Sequence, residues 1–156
     1  TPKSRLLRND STSEGIKFTE ATPKALQDCG MVTDAQWADL DQDGDPDLVI
    51  TIDWGATTIF ENRQGKLANI SQQAGTSIYK GWWRSLHSVD IDGDGDLDII
   101  AGNVGINTKY KSPTDKKPAM IYYGDMDGSG IPRIVEAKKG KDVHNKERPL
   151  PVRGRY

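Results

Sequence analysis

The chain has 156 residues, a formal net charge of −2 and one cysteine, Cys29. A single cysteine excludes an internal disulfide and a cysteine-built zinc cluster, the length allows one core, and no apolar run reaches the roughly 18 residues of a membrane-spanning helix. The near-neutral balance hides a segregation of charge, because ten aspartates crowd into two short segments while basic residues gather near the C-terminus.

In chain order, Thr1-Pro2-Lys3-Ser4 carries no apolar signal region, as expected of a mature or excised piece. Short strands are expected at residues 6–10 and 16–22, followed by a link to the first acidic segment. That segment reads DxDxDGxxD, with Asp39, Asp41, Asp43, Asp45 and Asp47 at alternate positions and Gly44 at the sixth. It runs into Leu48, Val49, Ile50, Thr51 and Ile52, a β-branched stretch that a strand requires. Residues 59–63 and 65–71 repeat the opening pair, with Asn62 matching Asn9. A link containing Trp82, Trp83 and Arg84 leads to a second DxDxDGxxD segment of Asp90, Asp92, Asp94, Gly95, Asp96 and Asp98, followed by another apolar stretch and a turn-rich loop with Asn103, Gly105 and Asn107. Asp39 and Asp90 lie 51 residues apart, so the chain repeats with a period near fifty, in the range of propeller blades built from short strands.

A third copy is degenerate. Residues 120–124 lead into Asp125, Asp127 and Ser129, with Gly130 at the sixth position and Arg133 at the ninth. A cation there replaces the closing carboxylate, so this loop is expected to be a weak or empty site unless Glu136 reaches in. The C-terminal part carries Lys138, Lys139, Lys141, Lys146, Arg148, Arg153 and Arg155. It is expected to be a solvated polar segment rather than a nucleic-acid surface, and residues 150–156 read as the start of another strand.

The acidic segments point to calcium. Each pair of like charges costs about 4 kcal/mol at about 4 Å in an effective dielectric near 20, and a hard cation with six to eight oxygen ligands removes that cost. The carboxylates at positions one, three and five (Asp39, Asp41, Asp43; Asp90, Asp92, Asp94) can converge while glycine makes the turn, position seven (Asp45, Asp96) offers its carbonyl, and position nine (Asp47, Asp98) closes the shell. The side chains of Asp45 and Asp96 are then expected to face solvent or a partner. Magnesium fits less well because it keeps its waters. An EF-hand needs a glutamate at position twelve, where this chain has Ile50 and Ala101. Both loops are therefore expected to join strands, with two strong calcium sites and a weak third.

With these residues in view, the two loops and their strands resemble the FG-GAP and VCBS repeats of integrin-α-like β-propellers, and the preceding elements resemble the strands that finish the previous blade in bacterial VCBS proteins related to the ASPIC/UnbV group. The resemblance covers about residues 5–136. It implies an all-β partial β-propeller of about two and a half four-stranded antiparallel blades, with each calcium loop between the first two strands. The expected divisions are residues 5–30 as the end of a preceding blade, 31–75 and 76–118 as blades carrying the first and second loops, and 119–156 as a partial blade. The Phe-Gly and Gly-Ala-Pro signatures of the family are absent. A closed propeller needs about four to eight blades, so the chain is expected to be a piece of a longer propeller or to associate with other copies through open blade edges.

No catalytic constellation stands out among His87, His144, Asp53 and Glu61. The expected function is a calcium-binding module, extracellular, at the cell surface or periplasmic, that binds a protein or carbohydrate partner, without nucleic acid and without membrane insertion. The alternative is a non-catalytic piece of an extracellular polysaccharide-acting enzyme. Candidate ligand-binding residues are Trp82, Trp83 and Arg84, because exposed tryptophans stack on sugars or anchor partners; the competing expectation is that the tryptophans fill the core, as also expected for Trp37 and Trp54.

Overall fold

The computed structural model describes residues 3–105 and 116–152. The chain divides into two compact units, Thr1–Asn103 and Val104–Tyr156. Both are built from antiparallel strands, as expected from the β-branched stretches and their turn signals.

The first unit repeats one sequence of elements. Strands β1 (Leu7–Asn9) and β2 (Phe18–Glu20) form a hairpin, α1 (Lys24–Gln27) makes a single helical turn, and β3 (Val32–Ala38) leads through the first acidic loop to β4 (Asp47–Ala56). The hairpin β5 (Thr58–Arg63) and β6 (Lys66–Asn69) comes next, then a 3-10 turn at Thr76–Ile78, then β7 (Lys80–Val89), the second acidic loop and β8 (Asp98–Asn103). The repeat read from Asn9 and Asn62 is thus a repeat of hairpins: Asn9 Oδ1 accepts the Ser11 N–H at 3.0 Å and Asn62 Oδ1 the Gly65 N–H at 2.9 Å.

Strands β3, β4, β5 and β6 form a four-stranded antiparallel sheet in chain order. Its centre is β4, where Leu48, Val49, Ile50 and Thr51 are all buried, so both faces of the strand are covered. Leu48 and Ile50 on one face meet Phe60 and Leu26, with Leu6, Cys29, Val32, Ile52 and Leu67 packed around them. Leu6, just before β1, and Leu26 of α1 therefore contribute to the core of this sheet, while the strands β1 and β2 are themselves exposed. Complete burial of a side chain such as Phe60 stabilises by about 1.5–3 kcal/mol.

Past Ile52, β4 is bulged: its register shifts between Asp53 and Gly55, and Trp54 takes φ +58°. From there Asp53, Gly55 and Ala56 pair with β7, which pairs in turn with β8. Strands β3 and β7, the equivalent strands of the two repeats, are tied directly. The Leu86 N–H donates to Asp34 Oδ2 at 2.8 Å, the Ser88 N–H donates to Gln36 Oε1 at 2.9 Å, and the Thr33 hydroxyl donates to the Trp83 carbonyl at 3.1 Å. Polar side chains of β3 thus satisfy backbone donors of β7 that would otherwise be unpaired.

In the second unit, β9 (Ala119–Gly124), β10 (Arg133–Lys141) and β11 (Glu147–Pro151) form a three-stranded antiparallel sheet. The basic stretch expected to be a solvated polar segment is largely a hairpin with its basic side chains exposed. Lys138, Lys139 and Lys141 lie on β10 and Arg148 on β11, joined by a turn in which Asp142 Oδ1 accepts the N–H groups of His144 and Lys146, both at 2.9 Å. Asn107, Arg153 and Arg155, together with residues 106–115 of the expected 76–118 blade and 153–156 of the expected 119–156 blade, fall outside the described residues.

Candidate metal centres

All three acidic loops join neighbouring antiparallel strands: β3 to β4, β7 to β8 and β9 to β10. They share one hydrogen-bond frame. The first-position carboxylate accepts the sixth-position N–H, as Asp39 Oδ2 from Gly44 at 3.0 Å, Asp90 Oδ2 from Gly95 at 3.0 Å and Asp125 Oδ2 from Gly130 at 2.8 Å. The third position accepts from the fifth, as Asp41 from Asp43 at 3.2 Å, Asp92 from Asp94 at 3.3 Å and Asp127 from Ser129 at 3.2 Å. The fifth accepts from the seventh, as Asp43 from Asp45 at 2.8 Å and Asp94 from Asp96 at 2.9 Å. The sixth-position glycines Gly44, Gly95 and Gly130 have φ of +91°, +97° and +78°, a conformation that a β-carbon would strain.

This folding of the backbone onto its own side chains brings the carboxylates together. In the first loop an oxygen from each of Asp39, Asp41 and Asp43 lies within 4.8 Å of the others, and in the second loop the same holds for Asp90, Asp92 and Asp98. Asp43 and Asp98 thus complete the trio from different positions of the motif. Asp94 stands outside its trio and caps the Asp96 N–H; Asp47 stands outside as well.

Asp47 is buried, with Oδ2 accepting the Leu40 N–H at 3.1 Å and Oδ1 the Asn62 N–H at 2.8 Å. Asn62 Nδ2 also donates to the Pro46 carbonyl at 2.9 Å, so the β5–β6 hairpin braces the end of the loop. Asp98 makes the matching bond to the Ile91 N–H at 3.0 Å. A carboxylate offers about four acceptor sites, so these bonds leave capacity for a cation.

The crowding has an electrostatic cost. Loss of hydration, with the charges of Asp43, Asp47 and Glu61 nearby, pushes the Asp41 carboxyl above its ordinary value, although the N–H of Asp43 works the other way. More specifically, Asp39 Oδ1 is buried with no hydrogen-bond partner while Oδ2 is occupied by Gly44. A carboxylate oxygen in that state is unfavourable unless something positive meets it. An all-oxygen set of this kind suits a hard divalent ion, so the residues of the first loop fit calcium.

The seventh-position side chains are engaged rather than free. Asp45 Oδ2 accepts the Gln64 N–H at 2.8 Å, and the Asp96 carboxylate accepts from the Gln42 side chain. Gln42 is the loop residue that sequence reasoning passed over, and Asn62, expected only as the match of Asn9, lies on β5 and braces the first loop. The signal for Gln42 was available: its position holds glycine in the other two loops, Gly93 and Gly128.

In the third loop the ninth-position Arg133 turns inward and its Nε donates to Asp127 Oδ2 at 3.1 Å. The guanidinium occupies the carboxylate that a metal ion would need. Hydrogen bonds from Ser129 hold the Asp127 carboxyl below its ordinary value.

Trp82, Trp83 and Arg84 belong to β7 and not to a link before it. Trp82 stacks on Trp54 of β4 with centroids 5.3 Å apart, Arg84 lies over the Trp82 ring at 5.3 Å, and Arg84 Nη2 is 3.7 Å from Asp53 Oδ2. Trp83 Nε1 donates to the Tyr79 carbonyl at 3.2 Å. Trp37, expected in the core, is 47% exposed on β3. His87 is exposed on β7, and His144 lies in the β10–β11 turn.

Comparison with protein families finds that residues 39–101 match the model of the FG-GAP-like repeat. The match begins at the first acidic loop and ends within β8, so it takes in both complete loops and strands β4 to β7 between them. The chain carries an FG-GAP repeat over this segment. Searches among curated proteins and among solved structures found no significant match.

Proposed function

We propose that the chain is part of an extracellular, cell-surface or periplasmic β-propeller module whose first two acidic loops hold structural calcium and whose exposed loops and edges bind a protein or glycan partner. In this reading β3–β6 is a complete four-stranded blade, β7–β8 is the inner half of the next, and β9–β11 contributes three strands of another. The observation that carries the calcium assignment is the buried, unpartnered Asp39 Oδ1 beside Asp41 and Asp43. Metal binding would draw each loop closed and fix its two strands, so that part of the binding free energy becomes folding free energy.

FG-GAP repeats are typical of extracellular or surface proteins, where calcium is abundant. Among the described residues no helix is long and apolar enough to cross a membrane. Support for partner binding comes from β8, whose Ile100 is 47% exposed while its counterpart in the first repeat, Val49, is buried at 1%. In the first repeat β5 covers that position; among the described residues β8 pairs with β7 alone. Such an edge can accept further strands, from elsewhere in a longer protein or from a second copy.

Calorimetric titration with calcium tests the assignment. The expected result is two ions per chain and a much weaker response to magnesium; no binding of calcium would remove the proposal's basis. A glycan array probed in calcium and again in chelator tests recognition. Calcium-dependent retention without release of shortened sugars is the expected outcome, whereas product release would move the reading to a polysaccharide-acting enzyme.

A further inference from the structure

Gln42, at the fourth position of the first loop, has φ +60°, and the matching residues of the other loops are Gly93 at +79° and Gly128 at +71°. The loop geometry therefore requires left-handed backbone at this position, which glycine adopts freely and a residue with a β-carbon does not. A glutamine held there calls for a compensating contact. Its side chain makes one by crossing to the second loop, where Nε2 donates to the Gly95 carbonyl at 3.2 Å and to the Asp96 carboxylate.

The peptide between Gly95 and Asp96 is thereby gripped at both ends, by Gln42 at its carbonyl and by Asp94 Oδ1 at its N–H, 2.9 Å away. The next carbonyl along, that of Asp96, is the seventh-position ligand in the proposed function. In the first loop the corresponding carboxylate, Asp45, is held by Gln64 from its own β5–β6 hairpin. The second loop receives this support from the first loop instead.

On its other side Gln42 is flanked by Asp41 and Asp43, two of the clustered carboxylates, and the Asp43 N–H donates to Asp41 at 3.2 Å. The groups that would hold the first ion thus also set the backbone at Gln42. We infer that Gln42 couples the two calcium loops, so that an ion in the first pre-orders the ligand shell of the second. This rests on the calcium assignment proposed above. The coupling is reciprocal by thermodynamic necessity, and its source is the ordering cost that the second ion no longer bears.

The test is a calorimetric calcium titration of the full chain beside Gln42→Gly, which suits the left-handed backbone and removes the bridge, with Gln42→Asn as a second variant too short to reach. A melt in chelator checks that each is folded. The expected result is two ions bound in every case, with the affinity for the second ion relative to the first at least about fivefold lower in both variants. Equal ratios in all three proteins overturn the coupling and leave the calcium assignment standing. Failure of every protein to bind calcium overturns both.

Discussion

Asp98 and Asp96 lie two residues apart in the same loop, yet their side chains have different tasks. Asp98 brings an oxygen to the trio with Asp90 and Asp92 and accepts the Ile91 N–H, whereas Asp96 turns away to Gln42. Asp98→Ala is therefore expected to weaken calcium binding at the second loop by about tenfold or more, because affinity follows the charge and number of oxygen ligands. Asp96→Ala keeps the backbone carbonyl and the Gln42 bond to the Gly95 carbonyl but loses one bond of the bridge, so its cost to that loop should be clearly smaller than that of Asp98→Ala. Site-resolved titration of the two variants separates these tasks, and an equal loss in both, persisting when Gln42→Gly has removed the bridge, would show that the Asp96 side chain ligates. The motif made positions one, three, five and nine legible as carboxylates that converge. It did not reveal that Asp47 is buried against the Asn62 N–H, because that contact depends on how a hairpin 15 residues later folds back.

The loop between β9 and β10 differs from the others chiefly in its last residue. Its backbone frame is the same, from the Asp125–Gly130 bond to the left-handed Gly128, but Arg133 places a guanidinium on Asp127. Arg133→Asp exchanges the internal cation for the missing carboxylate. The expected outcome is a third calcium ion per chain in the same titration; stoichiometry that stays at two would mean that Ser129 at the fifth position also disqualifies the loop. The strands around the loops were legible because β-branched residues follow each acidic segment directly. The placement of Trp82–Arg84 within β7 was not, since Gly81 and the consecutive tryptophans break the alternation by which a half-buried strand is recognised. Their role emerges only with the bulge in β4 that lays Trp54 against Trp82.

At the scale of the whole molecule, the fifty-residue period was the strongest sign of how the chain is organised, and it corresponds to hairpin, helical turn, strand, acidic loop and strand taken twice. What the period does not encode is coverage. Trp37 is exposed on β3 and Ile100 on β8, although both sit in apolar patterns, because burial depends on which neighbouring strands lie over them. The core that does form is centred on β4 and Phe60, the first carboxylate loop runs straight into it through Asp47 and Leu48, and the second lies between β7 and β8. With like charges held together by the fold, the stability of the first unit should depend on the ions that neutralise them. The most direct test is a thermal melt of the full chain in millimolar calcium and again in excess EGTA. Each kcal/mol of lost stability lowers the melting temperature of a domain this size by about 2–4 °C, so the account predicts a fall of several degrees on chelation that added calcium reverses. A melting temperature unchanged by chelation would contradict it.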